Sequence, residues 1–133
     1  MNHSLEIIIL GAAIDGTVDN IEQNYILQML HHSKKFKSLQ KSQLQVAQKN
    51  LLTKLQSGIT PEIIISNANN IFDYKKKIQI YAIILDVAYS NNVLEQSEIE
   101  FLDLLENLWE LKRNDVSSLN FSAKLRFGED WDE

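Results

Sequence analysis

The sequence predicts an all-α fold, a single-domain bundle of about six or seven helices, and three observations point to it. Apolar residues recur at steps of three to five positions along most of the 133-residue chain, the spacing that lines one face of a helix. Breakers are scarce, with Pro61 the one proline and four glycines in all, too few for a turn-rich β-sandwich or barrel. A short acidic segment near the start recurs near the end, which marks two pseudo-repeated helical hairpins, about 5–32 and 78–112. The expected domain is 1–127, with 128–133 as an acidic C-terminal tail that is expected to fray, docking of Trp131 being the alternative.

The elements follow in order. Residues 5–10 form an apolar run broken only by Glu6, too short for a bilayer, which needs ~20 apolar residues. No basic stretch precedes it, so it does not read as a signal peptide. The chain contains no cysteine, which removes disulfides, thiolate metal sites and Cys nucleophiles together. The expected location is the cytoplasm. From Phe36 the series Phe36, Leu39, Leu44, Ala47, Leu51, Leu55 reads as one amphipathic stripe. Ser57-Gly58 ends it, and Thr60-Pro61 restarts the chain as an N-cap followed by a proline whose missing N–H costs nothing at the first helical position. That next helix runs to about Asn70.

Residues 74–90 are apolar on most sides and are expected to form the central, most buried helix. Their isoleucines would suit a strand, but polar residues do not alternate with them. The last strong helix is expected over 96–111, with Ile99, Leu102, Leu105 and Trp109 as its inner face and Phe101, Leu104 and Leu108 beside it. A short final turn is expected at 114–119.

The net charge of −5 is unevenly spread. Residues 1–33 carry four acids and no Lys or Arg, residues 34–77 carry nine lysines against Glu62 and Asp73, and residues 78–133 carry twelve acids against four bases. Intramolecular complementarity and solvated helix faces are the expected use of the basic block, and a patch for nucleic acid or anionic lipid is the alternative. It contains no arginine and one exposed-looking aromatic cluster, Phe72 and Tyr74, poor equipment for reading bases. No nucleic-acid partner is expected.

The most informative feature is the self-match at an offset of 76 residues. Residues 14–22 read IDGTVDNIE and residues 90–98 read SNNVLEQSE. Asp15 aligns with Asn91, Gly16 with Asn92, Val18 with Leu94, Asp19 with Glu95 and Glu22 with Glu98. Ala12 meets Ala88 upstream, and Tyr25 meets Phe101 downstream. Gly16 or Asn92 suits the left-handed end of a helix. Val18 or Leu94 is an apolar anchor in the turn. Asp19 with Glu22, and Glu95 with Glu98, have capping-box spacing. Caps and turns alone account for these residue types. The other reading is a cation site. Asp15, Asp19 and Glu22 gather three carboxylates, and Glu95 and Glu98 could add oxygens from the second copy. Hard divalent ions, Ca²⁺ or Mg²⁺ above others, want such ligands. The span is shorter than the 12-residue loop of an EF-hand.

In these residues the chain resembles the TerB-like (tellurite-resistance-associated) domain family, whose first hairpin carries an A-x-D-G-x-[hydrophobic]-[acid]-x-x-E box and whose second carries a looser copy. Ala13, Asp15, Gly16, Val18, Asp19 and Glu22 match the first box; Ala88, Val93 or Leu94, Glu95 and Glu98 match the second, over roughly residues 5–112. The resemblance implies an all-helical bundle of two related hairpins. It also implies a place in bacterial tellurite-resistance, chemical-stress or phage-defence systems, an acidic divalent-cation site, and association with protein partners or the inner membrane surface. It implies no reaction. The chain departs from the pattern at Asn91 and Asn92, where Asp-Gly is expected, so the second copy is the poorer ligand set.

Catalytic motifs are missing. There is no H-E-x-x-H, no Gly-rich phosphate loop and no G-x-S-x-G. His3, His31 and His32 read as surface histidines, and the acids of 98–110 as a solvated face. The expectation is a non-enzymatic binding domain that holds a divalent cation through Asp15, Asp19, Glu22, Glu95 and Glu98. The alternative is a metal-free protein–protein interaction scaffold, with a homodimer among its forms. A metal-assisted hydrolase using Asp15 or Glu22 is the remote third reading.

Overall fold

A computed structural model describes residues 3–13, 23–89 and 94–128. The chain runs through α1 (His3–Ala12), α2 (Gln23–His31), a 3-10 turn (Lys34–Phe36), α3 (Lys41–Gln56), α4 (Pro61–Ala68), α5 (Tyr74–Tyr89), α6 (Gln96–Leu108), α7 (Arg113–Ala123) and a π-helical turn (Lys124–Gly128). Among the described residues there is no strand.

The most enclosed helix is α1, which corrects the expectation for α5. Every residue from 4 to 11 is buried, because α3, α4, α5 and α6 all pack around it. A helix surrounded in this way must be apolar on every side, which is why the isoleucine run has no polar alternation. Its one acid, Glu6, is 3% exposed and is met by Lys54 of α3, Nζ to Oε2 2.7 Å. A buried carboxylate persists only with such a partner. By contrast, α5 presents Lys75 and Gln79 to solvent while Ile80, Tyr81, Ile84, Leu85, Val87 and Ala88 face inward.

The stripe expected to begin at Phe36 belongs to two elements. Phe36 is buried in the 3-10 turn, and α3 starts afresh after Gln40. There the Gln43 side-chain oxygen accepts the Gln40 N–H at 2.8 Å in a capping box. Leu44, Ala47 and Leu51 then form the buried face. The far end closes as anticipated. Gly58 has φ +96°, Ile59 N–H reaches Lys54 O at 3.1 Å, and Gly58 N–H reaches Leu55 O at 3.1 Å, a Schellman motif. Thr60 Oγ1 then accepts Ile63 N–H at 3.3 Å, with Pro61 at the first helical position.

The inner face of α6 is Phe101, Leu102 and Leu105, continued by Trp109, while Ile99 is exposed. At 3.6 residues per turn Ile99 lies about 100° from the centre of that face, so the expected Ile99 stripe is corrected by one step. The helix also stops earlier than residue 111. Glu110 takes φ 52°, and Leu111 N–H returns to Glu106 O at 3.0 Å. This is the same closing motif with a glutamate where glycine is usual.

The short turn expected at 114–119 is an eleven-residue helix, α7. Its apolar content is thin, with Val116 and Ala123 buried and Leu119 partly so. Polar ties hold it instead. Tyr74 donates its hydroxyl hydrogen to Asp115 Oδ2 at 2.7 Å and accepts Lys112 N–H at 2.9 Å, and Asn120 Nδ2 donates to the Tyr81 oxygen at 3.1 Å. The Phe72 and Tyr74 pair is therefore an internal brace and not a surface cluster. Phe72 sits edge-on to Trp109, ring centroids 6.2 Å apart, and Trp109 Nε1 donates to Ile65 O at 2.9 Å inside the core.

Candidate functional site

Along the chain the first acidic box falls between α1 and α2, and the second runs from the end of α5 into the first turn of α6. The second is described from Leu94 onward. Leu94 packs against the core as the expected apolar anchor. Glu95 is the N-cap of α6, in extended conformation, and Glu98 stands at its third position. The Glu98 carboxylate accepts the Glu95 N–H at 3.0 Å, and the pair forms a reciprocal capping box. Negative charge at that end also complements the dipole of α6. Both side chains thus serve the start of the helix. Asn91 and Asn92 lie outside the described residues, as do Asp15, Asp19 and Glu22 of the first box.

The structure does place the two ends between which the first box lies. At the close of α1, Gly11 is covered by Phe101 of α6 and Ile84 of α5, and Ala13 N–H returns to Ile9 O at 3.0 Å. At the start of α2, Gln23 is clipped to α3. Its Nε2 donates to Gln48 Oε1 at 2.7 Å, and its Oε1 accepts from Gln45 Nε2 at 3.1 Å. These glutamines carry no periodic signal, and sequence reasoning passed over them. The contact of Gly11 with Phe101 also sets the last turn of α1, from which the first box continues, beside the opening turns of α6, which the second box begins.

Among the described residues, no group of three or more His, Asp or Glu side chains could hold a metal ion. His31 and His32 are exposed, as expected, and His31 Nε2 lies 2.8 Å from Leu39 O. The acids of α6 are not only a solvated face, since Glu106 Oε1 receives Arg113 at 2.7 Å. That contact, first and most strongly, and the added attraction of the Glu106 charge raise the guanidinium pKa. Lys54 with Glu6 joins the basic block to the first acidic segment, whereas Arg126 with Asp86, 3.1 Å apart, joins two residues of the C-terminal segment.

The family model for tellurite resistance protein TerB matches residues 4–120. The chain belongs to the TerB family. No curated protein and no solved structure matches it. The match spans both acidic boxes and every helix from α1 to the body of α7, so the TerB unit includes the final helix as well as the two hairpins. No described helix of this TerB domain is long and apolar enough to cross a membrane.

Proposed function

We propose that this TerB-family domain is a non-catalytic binding module of a bacterial tellurite-resistance or stress-response system, acting in the cytoplasm. It holds a divalent cation, Ca²⁺ or Mg²⁺ by preference, through Asp15, Asp19 and Glu22. The observation that carries this reading is the family match over residues 4–120, inside which the more acidic of the two boxes falls. Three carboxylates within eight residues suit a hard cation. Glu95 and Glu98 contribute second, because the backbone N–H groups of α6 already engage their carboxylates. Binding would then be read out by protein partners, a second copy of the chain or the membrane surface.

Calorimetric titration of the full chain with Ca²⁺, Mg²⁺, Mn²⁺ and Zn²⁺ tests this reading, with Asp19→Asn beside it. Asparagine caps a helix as well as aspartate, so the substitution removes a charge and spares the turn. The cation reading expects heat in the wild type and a loss of affinity of roughly tenfold or more in Asp19→Asn, which corresponds to about 1.4 kcal/mol. A wild type silent toward all four ions contradicts it.

A metal-free scaffold is the second reading, and the capping box of Glu95 and Glu98 favours it, because there the box chemistry is spent on ending one helix and starting the next. On that reading neither variant nor wild type responds to any of the ions, and Asp19→Ala still loses stability.

A further inference from the structure

A groove of about 930 Å³ opens along α5 on the side flanked by the 3-10 turn and the C-terminal π-helical turn. It follows α5 from Lys76 to Val87, about 16 Å of helix axis. Its lining is mainly apolar, with Phe36, Ile80, Ile83, Val87 and Phe127 against the neutral polar side chains of Ser33 and Gln79. Phe36, Ile80 and Val87 are themselves buried. The size lies within the usual range for small-molecule sites, roughly 300–1,000 Å³.

The charge at this groove is predominantly positive. Lys34, Lys35, Lys76 and Arg126 line it against a single acid, Asp86. Arg126 already engages that acid. The three lysines have no acid partner among the described residues, whereas Lys54 is paired with Glu6 and Arg113 with Glu106. Unpaired ammonium groups around an apolar trough complement a molecule with a hydrocarbon body and a negative head.

We propose that this groove binds a single-chain anionic amphiphile, a fatty carboxylate, with the acyl chain along α5 and the carboxylate at Lys34, Lys35 and Lys76. A hydrocarbon chain asks for no hydrogen bonds from the floor, and its burial is favourable. An extended peptide would bring a row of N–H donors that need acceptors, whereas the groove's one carboxylate is already engaged and its other polar lining, Ser33, His32 and Gln79, is sparse for such a row. The head group draws charge-assisted hydrogen bonds from lysines that are otherwise solvated. None of the residues lining the groove belongs to either acidic box, and the proposal rests on neither of them.

The test uses the full chain and laurate, below its micelle-forming concentration, followed by calorimetry and amide NMR. Lauryl alcohol, acetate, anionic phospholipid vesicles and a peptide of the sequence 128–133 serve as the other probes. We expect laurate to bind with shifts confined to the groove, and lauryl alcohol and acetate to bind at least roughly tenfold more weakly, a difference of about 1.4 kcal/mol. Lys34→Gln, Lys35→Gln and Lys76→Gln combined should weaken laurate by a similar factor, leaving lauryl alcohol and the melting temperature unchanged. Ala82→Trp, which fills the trough, should weaken both ligands. Equal affinity for laurate and lauryl alcohol overturns the proposal, as does full laurate affinity in the lysine variant. Binding of the acidic peptide or of vesicles without binding of monomeric laurate assigns the groove to another partner and equally overturns it.

Discussion

Phe101 of α6 lies directly over the backbone of Gly11 in α1, so that a Cβ placed on Gly11 would meet Phe101 Cε1 at 2.8 Å and Ile84 Cγ2 at 3.0 Å. This one contact explains a helical glycine that propensity alone would disfavour. It also joins the end of the first hairpin's leading helix to the beginning of the second hairpin's closing helix. Gly11→Ala should therefore destabilise the domain by about 1–3 kcal/mol through overpacking, despite the better helix propensity of alanine. Urea unfolding measures the loss, and Phe101→Leu in the Gly11→Ala background should recover part of it. Two strictly additive effects would show that the aromatic ring and the glycine are not coupled.

The two Schellman motifs make opposite predictions. Gly58 sits at φ +96° with nothing within 4 Å of a Cβ built there, so Gly58→Ala introduces strain without a clash and should cost about 1–2 kcal/mol. Glu110 holds φ 52° as a non-glycine residue, and Glu110→Gly should stabilise the domain by up to about 1 kcal/mol. Shifts of the thermal midpoint in the same direction for both variants would contradict this account of the two turns.

Lys54 stands over the buried carboxylate of Glu6, with its own side chain 28% exposed. Lys54→Met should cost about 2–3 kcal/mol, at or below the lower end of the range for breaking a buried pair, because solvent still reaches the lysine. Joint replacement with Glu6→Leu should recover most of the loss. A double-mutant cycle on chemical unfolding decides whether the pair is coupled.

The tyrosines predict the alkaline limit of the fold. Burial, first of all, raises the pKa of the Tyr81 hydroxyl above the usual 10.0; the hydrogen bond from Asn120 opposes this, and the charges of Glu106 and Asp103 add to it. Tyr74 is raised as well, by desolvation and then by its bond to Asp115. A phenol with a folded-state pKa above its unfolded value contributes fully below the unfolded value and loses that contribution as pH rises through the folded one. Stability should thus fall with increasing pH from about 10 upward, and Tyr81→Phe should flatten the fall. Parallel pH profiles for variant and wild type would contradict the assignment.

The local signals in the sequence were the dependable ones. Gly58, Thr60 and Pro61 act through their own backbones, and the structure uses them as the sequence implies. Leu94, Glu95 and Glu98 likewise take the turn and cap positions that their spacing suggests. What misled was periodicity without context. Phe36 and Leu39 fit the stripe of α3 but precede it, since the Gln40–Gln43 box restarts the helix. Ile99 fits the inner face by its three-residue step to Leu102, yet it is exposed and Phe101 is buried there instead. Helix α7 exceeds the short turn that the sequence predicts because Tyr74, Tyr81, Asp115 and Asn120 hold it through contacts between residues about forty positions apart, which no short window contains. The lysine-rimmed groove was illegible for a similar reason. Lys34 and Lys35 come together with Lys76 and Arg126 only through the packing of α5 against α2, which carries the 3-10 turn, and against the C-terminal turn.

The cation reading of the first box is tested most directly by following the amide NMR spectrum of the full chain during addition of Ca²⁺. Saturable shifts should centre on residues 12–24, with smaller ones at 94–101, reached through the packing of Phe101 on Gly11. They should be lost in Asp19→Asn. A spectrum unchanged at millimolar Ca²⁺ and Mg²⁺, or shifts that Asp19→Asn leaves intact, would contradict it.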